Sequence, residues 1–340
     1  MARVGYFLSS EEHGPRELVE QARMAQDAGF QALWISDHYH PWNDAQGQSS
    51  FVWGTIGALS EAVSLPITTA VTCPTVRVHP AVIAQAAATA AVQTGGRFTL
   101  GVGSGEALNE HITGAHWPPA AVRQAMLEEA VGVMRELWAG EVVSHHGEHY
   151  TVEDARIYTL PDEPPRVFVS GSGPKAARLA GRIGDGYMSV FPDRGLVEAF
   201  RASGGGDKPA QAGCKVCWSR DGTQALKHAY ELWANDLLPG ELAQTLPQPA
   251  HFEQASQLVT ADQAAGHFVC GADPDEHVAQ LNEYFDAGYD EVYVNQIGPE
   301  QRGFFEFYEQ QVLPQITAPS ETAQTDTAPA DTAPADTAAA

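Results

Sequence analysis

An α/β fold, a (β/α)8 TIM barrel carrying insertion segments, is the architecture this sequence predicts, and three observations predict it. Amphipathic helical stretches alternate with short apolar runs along the chain. The runs are apolar almost throughout, as parallel strands covered on both faces should be. The phrase helix, glycine, strand that opens the chain also closes it, with Asp27-Ala28-Gly29-Phe30 and Asp286-Ala287-Gly288-Tyr289 at equivalent places. A length of 340 residues would admit two domains, yet barrels routinely exceed about 250 residues as one domain.

Taken in order, Val4 to Leu8 is the first expected strand. Pro15 to Ala28 follows as a helix with Leu18, Val19, Ala22 and Ala25 on one face, Pro15 in its first turn and Gly29 as its stop. Strands are expected at Ala32 to Ser36, Ile67 to Thr72, Phe98 to Val102, Val167 to Ser170, Gly186 to Val190, Gln211 to Trp218 and Glu291 to Val294. The clearest helices between and after them are Pro80 to Val92, Val122 to Trp138, Pro174 to Ile183, Leu196 to Ala202, Gln224 to Leu237, Asp275 to Ala287 and Phe304 to Val312. Eight strands in βα alternation favour a closed barrel over an open sheet. Residues 141–165 and 238–271 break the pattern and are long for simple loops, so each is expected to be an insertion with short elements of its own. The barrel domain is read as 1–316. From 317 to 340 the chain turns to Thr, Ala, Pro and Asp, with Thr-Ala-Pro-Ala-Asp twice, a composition expected to remain disordered.

Composition excludes whole classes of function. A formal charge of −24 argues against nucleic acid or an anionic membrane as partner. No apolar run reaches the roughly 18 residues a bilayer span needs, and the N-terminus reads straight into a strand, so a cytoplasmic protein is expected. Cysteines 73, 214, 217 and 270 include a Cys-x-x-Cys pair. Residues three apart on a strand face opposite ways, which predicts reduced thiols and no metal.

Barrel chemistry belongs at the C-terminal ends of the strands. After the second strand stands Ser36-Asp37-His38-Tyr39-His40-Pro41-Trp42, a carboxylate, a base near neutral pH and an aromatic wall. From position alone, a structural histidine and a loop tryptophan suit the pattern equally well. The fourth strand ends in Gly101-Val102-Gly103-Ser104-Gly105-Glu106-Ala107-Leu108-Asn109-Glu110, where glycines let backbone approach a ligand and Glu106 would share the mouth with His38. It fits neither a Walker A loop nor a dinucleotide fingerprint, and a glycine-softened turn with an exposed acid is the simpler reading. Ser170-Gly171-Ser172-Gly173-Pro174-Lys175-Ala176-Ala177-Arg178 leads into a helix whose first N–H groups form an anion cradle. Glu11 and Glu12 lie just past the first strand, where acids are usually only solvated.

Together these motifs resemble the F420-dependent glucose-6-phosphate dehydrogenase family of luciferase-like oxidoreductases, from Arg3 to Ile316. The most specific pieces are Ser36-Asp37-His38 with Trp42, Ala81-Val82-Ile83-Ala84-Gln85-Ala86, Gly103 to Glu110, and Gly181-Arg182-Ile183-Gly184-Asp185-Gly186. The resemblance implies a dehydrogenase using coenzyme F420, in which His38 takes the substrate hydroxyl proton, Glu106 serves the deazaflavin N1, Trp42 shapes the pocket and Glu11 is a further acid at the substrate end. It implies that Asp37, Asn109, Gly171, Ser172, Gly173 and Val190 contact the coenzyme, and that Ala70-Val71 is a cis peptide against the deazaflavin ring. The family's phosphate clamp of two lysines and an arginine corresponds to Asp193, Gly266 and Arg302, with Arg194 and His267 adjacent as partial substitutes. That departure leaves the substrate open: an alcohol, a sugar or a sugar phosphate. An FMN-dependent luciferase-like monooxygenase or reductase is the alternative enzyme, and a non-catalytic deazaflavin-binding protein the alternative outside catalysis. A small-molecule substrate and a homodimer are the expected partners.

Overall fold

Residues 2–317 are described by the computed structural model. Apart from Thr317, which ends the last helix, the tail expected at 317–340 lies outside them. Among the described residues eleven strands occur: β1 (Arg3–Leu8), β2 (Leu33–Ile35), β3 (Ile67–Thr69), β4 (Phe98–Val102), β5 (Val143–His146), β6 (Thr151–Ala155), β7 (Arg166–Ser170), β8 (Gly186–Ser189), β9 (Ala210–Cys217), β10 (Val269–Cys270) and β11 (Glu291–Gln296). The eight predicted strands are β1 to β4, β7 to β9 and β11. They pair in parallel in that order, and β11 pairs with both β9 and β1, which closes the ring. At the C-terminal end of β9, Val216 and Cys217 pair with β10.

Alternation along each strand builds two cores. Val4, Tyr6 and Leu8 on β1, Leu100 and Val102 on β4, and Ala212, Cys214 and Val216 on β9 face outward into the layer beneath the helices. The inward face holds Trp34, Phe168, Met188 and Tyr293, with Ala70 and Val71 packed against them. Trp34 stacks on Tyr293 at 4.5 Å between ring centroids and donates its indole N–H to Gln211 (3.0 Å). The inner space is shared out by size: an ideal Cβ on Gly5 would lie 2.4 Å from Tyr293, one on Gly213 2.7 Å from Trp34, and one on Gly186 2.6 Å from Phe168. The Cys-x-x-Cys thiols diverge as alternation requires, Cys214 into the outer core and Cys217 into a cluster with Trp233 and Phe268.

Three sequence expectations need correction. β3 ends at Thr69 rather than Thr72: the Ala70–Val71 peptide that follows is cis, and beyond it pairing resumes as a single bridge from Thr72 to Val102. A helix at Val52–Ala62 went unread, since Gly54 and Gly57 blur its periodicity. The helix expected from Leu196 begins at Arg194, because Asp193 accepts the backbone N–H of Gly195 (2.8 Å) and caps it. The stretches that broke the pattern do carry elements of their own: the first holds the antiparallel β5–β6 hairpin, the second helices Leu242–Thr245, Pro249–Ser256 and Ala261–Ala265 followed by β10.

Candidate active site

Glu11, which loop position alone would leave solvated and which the resemblance makes an acid at the substrate end, is buried at 3% exposure. The Ser36 and Ser9 hydroxyls donate to its Oε2 at 2.6 and 3.1 Å, and its Oε1 lies 3.5 Å from His38 Nε2. The ends of β1 and β2 thus place a carboxylate against an imidazole. The other ring nitrogen, Nδ1, lies 3.1 Å from the His40 carbonyl and 3.2 Å from Asn109 Nδ2. Asn109 is fixed in turn, because its Oδ1 accepts the backbone N–H groups of Tyr39 (2.9 Å) and His40 (3.2 Å). His40 Nδ1 meets the Leu108 carbonyl at 2.9 Å, a second tie between the loops after β2 and β4. Trp42 lies 5.0 Å from the His38 ring and meets Phe252, from the second insertion, edge-on at 5.1 Å.

Asp37 is held at both oxygens. Thr72 donates to Oδ2 and Arg77 to Oδ1, each at 2.8 Å. Arg77 is itself largely buried and sits between two acids, with Glu110 Oε1 at 3.6 Å from its Nε. Glu110 Oε2 accepts the backbone N–H of Val76 (3.1 Å) and Arg77 (2.6 Å), tying the connection after β3 to the helix after β4. Burial raises the Glu110 carboxyl to about 7. Neither Thr72 nor Arg77 was singled out in the sequence, because a threonine and an arginine in a loop carry no spacing signal.

Glu106 is the N-cap residue of the short helix Ala107–Glu110 but makes no side-chain cap bond, and its carboxylate has no hydrogen-bond partner among the described residues. Below it, an ideal Cβ on Gly103 would lie 2.7 Å from Val71 Cγ2, so backbone alone fits beside the cis peptide. Gly171 follows β7, and the Tyr187 hydroxyl donates to its carbonyl (2.5 Å). Gly173 precedes helix Pro174–Ile183, whose first turn is not capped by any side chain. Val190 is exposed, and its carbonyl accepts the Tyr284 hydroxyl at 3.1 Å.

Of the three residues expected to rebuild a phosphate clamp in part, His267 lies within electrostatic reach of Asp236 and Lys215. Arg194 donates to the backbone carbonyl of Asp286 in the outer helix Pro274–Ala287. Arg302 is exposed on helix Gln301–Phe307, and His267 is exposed beside Phe268. The structure instead brings in residues that sequence reading missed. Gln211, Gly213 and Lys215 share the inward face of β9, and Lys215 is the one at the mouth. Its Nζ lies 2.7 Å from Asp236 Oδ2 and 4.2 Å above the Trp233 ring. Trp233 donates its indole N–H to Glu12 at 2.5 Å, and Gly298 N–H donates to the other Glu12 oxygen at 2.9 Å. Burial lifts Glu12 to about 7. Asn295, inward on β11 above Tyr293, donates to the Phe7 carbonyl (3.0 Å), while its buried Oδ1 has no partner. The signal for Lys215 was present: polar Gln211 and Lys215 alternate with apolar Ala212, Cys214 and Val216.

Comparison with known proteins places this geometry in a lineage. Residues 1–291 match the family model described as luciferase-like monooxygenase. A relative in Amycolatopsis mediterranei, named F420-dependent glucose-6-phosphate dehydrogenase, is 35% identical over 332 residues, covering 94% of this chain and 99% of its own. One of the same name in Microbacterium testaceum is 37% identical, covering 92% and 97%. Among solved structures, an F420-dependent secondary alcohol dehydrogenase in complex with an F420-acetone adduct is 30% identical and superposes with a TM-score of 0.86 over 93% of this chain and 99% of that one. The F420-dependent tetrahydromethanopterin reductase of Methanopyrus kandleri, at 20% identity and a TM-score of 0.74 over 92% and 99%, shares the fold.

Proposed function

Because the chain belongs to the luciferase-like monooxygenase family and, within it, to the F420-dependent glucose-6-phosphate dehydrogenase family, we propose that it oxidises a CH–OH carbon of a small molecule with His38 as the base. It is an oxidoreductase of the CH–OH class, and its coenzyme is F420. The observation that carries the catalytic reading is the His38–Glu11 pair, 3.5 Å apart at the ends of adjacent strands.

The residues present suit a flat ring with polar edges and an anionic tail. Gly103 leaves only backbone beside the Ala70–Val71 peptide, Asn295 Oδ1 is a buried acceptor without a donor, and the uncapped helix after Gly173 offers the N–H groups of Lys175 and Ala176 to an anion. Asp37, Ala70, Val71, Glu106, Asn109, Gly171, Ser172, Gly173 and Val190 would hold the coenzyme. When bound, F420 supplies the hydride acceptor. On the protein's side, donation from His38 Nδ1 to the His40 carbonyl leaves a lone pair on Nε2, where the substrate hydroxyl proton is received. Glu11 Oε1 faces the imidazolium so formed, and the two serine hydroxyls keep that carboxylate in place. Arg77 and Thr72 fix the orientation of the Asp37 carboxyl, one at each oxygen. Trp42 walls the substrate side, held in place by buried Phe252 packed edge-on against it.

Titration with F420 and FMN separately, followed by the quenching of each fluorophore, tests the coenzyme, and tighter binding of F420 is expected. Tighter FMN binding would overturn it. A panel of alcohols and sugars, monitored by loss of oxidised F420 absorbance, then tests the reaction.

A further inference from the structure

The wall of the mouth opposite the β4 loop carries one charge arrangement that the dehydrogenase chemistry does not use. Lys215 Nζ is held by Asp236 at 2.7 Å and lies over Trp233, and the two charged side chains are only 16% and 23% exposed. Two chains of contact connect this pair to the reacting end. Trp233 bonds Glu12, the neighbour of the Glu11 that meets His38. Trp42, against the His38 ring, packs on the same cluster as Trp233 and Phe268. Acids dominate this side: Glu11, Glu12 and Asp236. Of the basic groups nearby, Arg194 serves a backbone carbonyl in the outer layer, Arg77 serves Asp37, and His267, within reach of Asp236 and Lys215, is held below its ordinary pKa by partial burial and so adds no fixed charge. Asp193 caps a helix, and Gly266 ends helix Ala261–Ala265.

We propose that the Lys215–Asp236 ion pair determines substrate class: it cancels the lysine's charge at the mouth, so that the enzyme takes uncharged alcohols and turns away alcohols bearing phosphate or carboxylate. The proposal rests on the dehydrogenase reading of the same site. A free lysine there would give an anion charge-assisted hydrogen bonds. With Nζ already bonded, an anionic substrate must displace Asp236 and then lie beside three carboxyl groups. A neutral alcohol meets instead the half-buried ring of Trp42, which Phe252 backs from behind.

Asp236→Asn removes the charge and keeps the shape, with Asp236→Ser as a second variant should the amide disturb folding. Binding of inorganic phosphate to the F420-mixed protein is measured by calorimetry. In parallel, kcat/KM is compared for two matched pairs, glucose with glucose 6-phosphate and glycerol with glycerol 3-phosphate. The wild type is expected to bind phosphate weakly and to favour the neutral member of each pair it turns over. Asp236→Asn should tighten phosphate binding by about tenfold or more, the worth of one charge-assisted hydrogen bond. Lys215→Met in the Asp236→Asn background should erase that gain, because the gain belongs to the pair. Equal phosphate affinity in wild type and Asp236→Asn, or a gain that survives loss of Lys215, overturns the proposal. Failure to bind F420, seen in the separate titration, strikes the dehydrogenase reading alone, since phosphate binding needs no turnover.

Discussion

His38 is where a single residue decides most. Its imidazole is oriented from both ends, by Glu11 at Nε2 and by the His40 carbonyl that accepts from Nδ1, with the Asn109 amide packed beside the same nitrogen. None of these partners is replaced when the ring is removed, so His38→Ala is expected to lower kcat by about 100-fold or more, the usual worth of a positioned base. F420 affinity, measured by fluorescence, should change little, because Asp37 is held by Thr72 and Arg77 independently of the ring. A variant that turns over normally would remove His38 from the chemistry. Asp37, His38 and Trp42 were legible from their place after a strand, whereas Glu11 stood out only through the family resemblance and not from its position. A loop acid looks solvated until the fold brings Ser36 and His38 over it, and those contacts span 25 and 27 positions of chain.

Among the connecting elements, the segment from Thr72 to Val78 shows how a loop without regular structure is held. Its backbone N–H groups at Val76 and Arg77 bond Glu110, and its arginine reaches Asp37. Glu110 is fully buried, and desolvation lifts its carboxyl from 4.5 to about 7, the Arg77 N–H and guanidinium pulling back. In the unfolded chain this group ionises near its ordinary value, so between about 4.5 and 7 the folded state binds more protons. The stabilisation it gives is therefore full below the unfolded value, is lost as pH rises through about 7, and is on the order of 3 kcal/mol. Glu110→Gln has no such titration and keeps an acceptor for the two N–H groups. Its melting temperature should gain on the wild type's as pH rises from about 5 to 8, and a difference independent of pH would show that Glu110 is ionised throughout. Buried His277, lowered to about 4 by burial, runs the other way but is common to both proteins and cancels. Elements with strong punctuation were legible in the sequence: Pro15 and Gly29 bound the first helix, and the parallel strands read as apolar runs. Helix Val52–Ala62 was not, because its apolar residues lie on more than one side and two glycines interrupt them. The start at Arg194 was hidden because Gly195 in the first turn is a poor helix former, and only the Asp193 cap on its N–H carries the helix back past it.

At the scale of the whole molecule, the eightfold alternation was legible, but the way the ring is filled was not. Tyr293 and Phe168 lie over glycines that are their register partners on the adjacent strand, Gly5 and Gly186, while Trp34 lies against Gly213 on a strand it does not pair with, and neither the register nor the facing strand can be read from the sequence. A glycine's meaning therefore depends on its layer. Gly213 has ordinary backbone geometry, yet an ideal Cβ would lie 2.7 Å from Trp34 Cζ3, and Trp34 is stacked on Tyr293 and bonded to Gln211. The ring cannot move without breaking those contacts. Gly132, in the middle of helix Ala120–Trp138, has nothing within 4 Å of the same position. The same substitution should act in opposite directions at the two sites. Gly132→Ala should stabilise by roughly 0.5–1 kcal/mol through helix propensity, whereas Gly213→Ala should destabilise by about 1–3 kcal/mol through overpacking, a fall of about 2 °C or more in melting temperature. Thermal melts of both variants beside the wild type decide the matter, and a Gly213→Ala protein as stable as the wild type would mean that the Trp34 ring is free to move and that the inner layer does not lock the barrel shut.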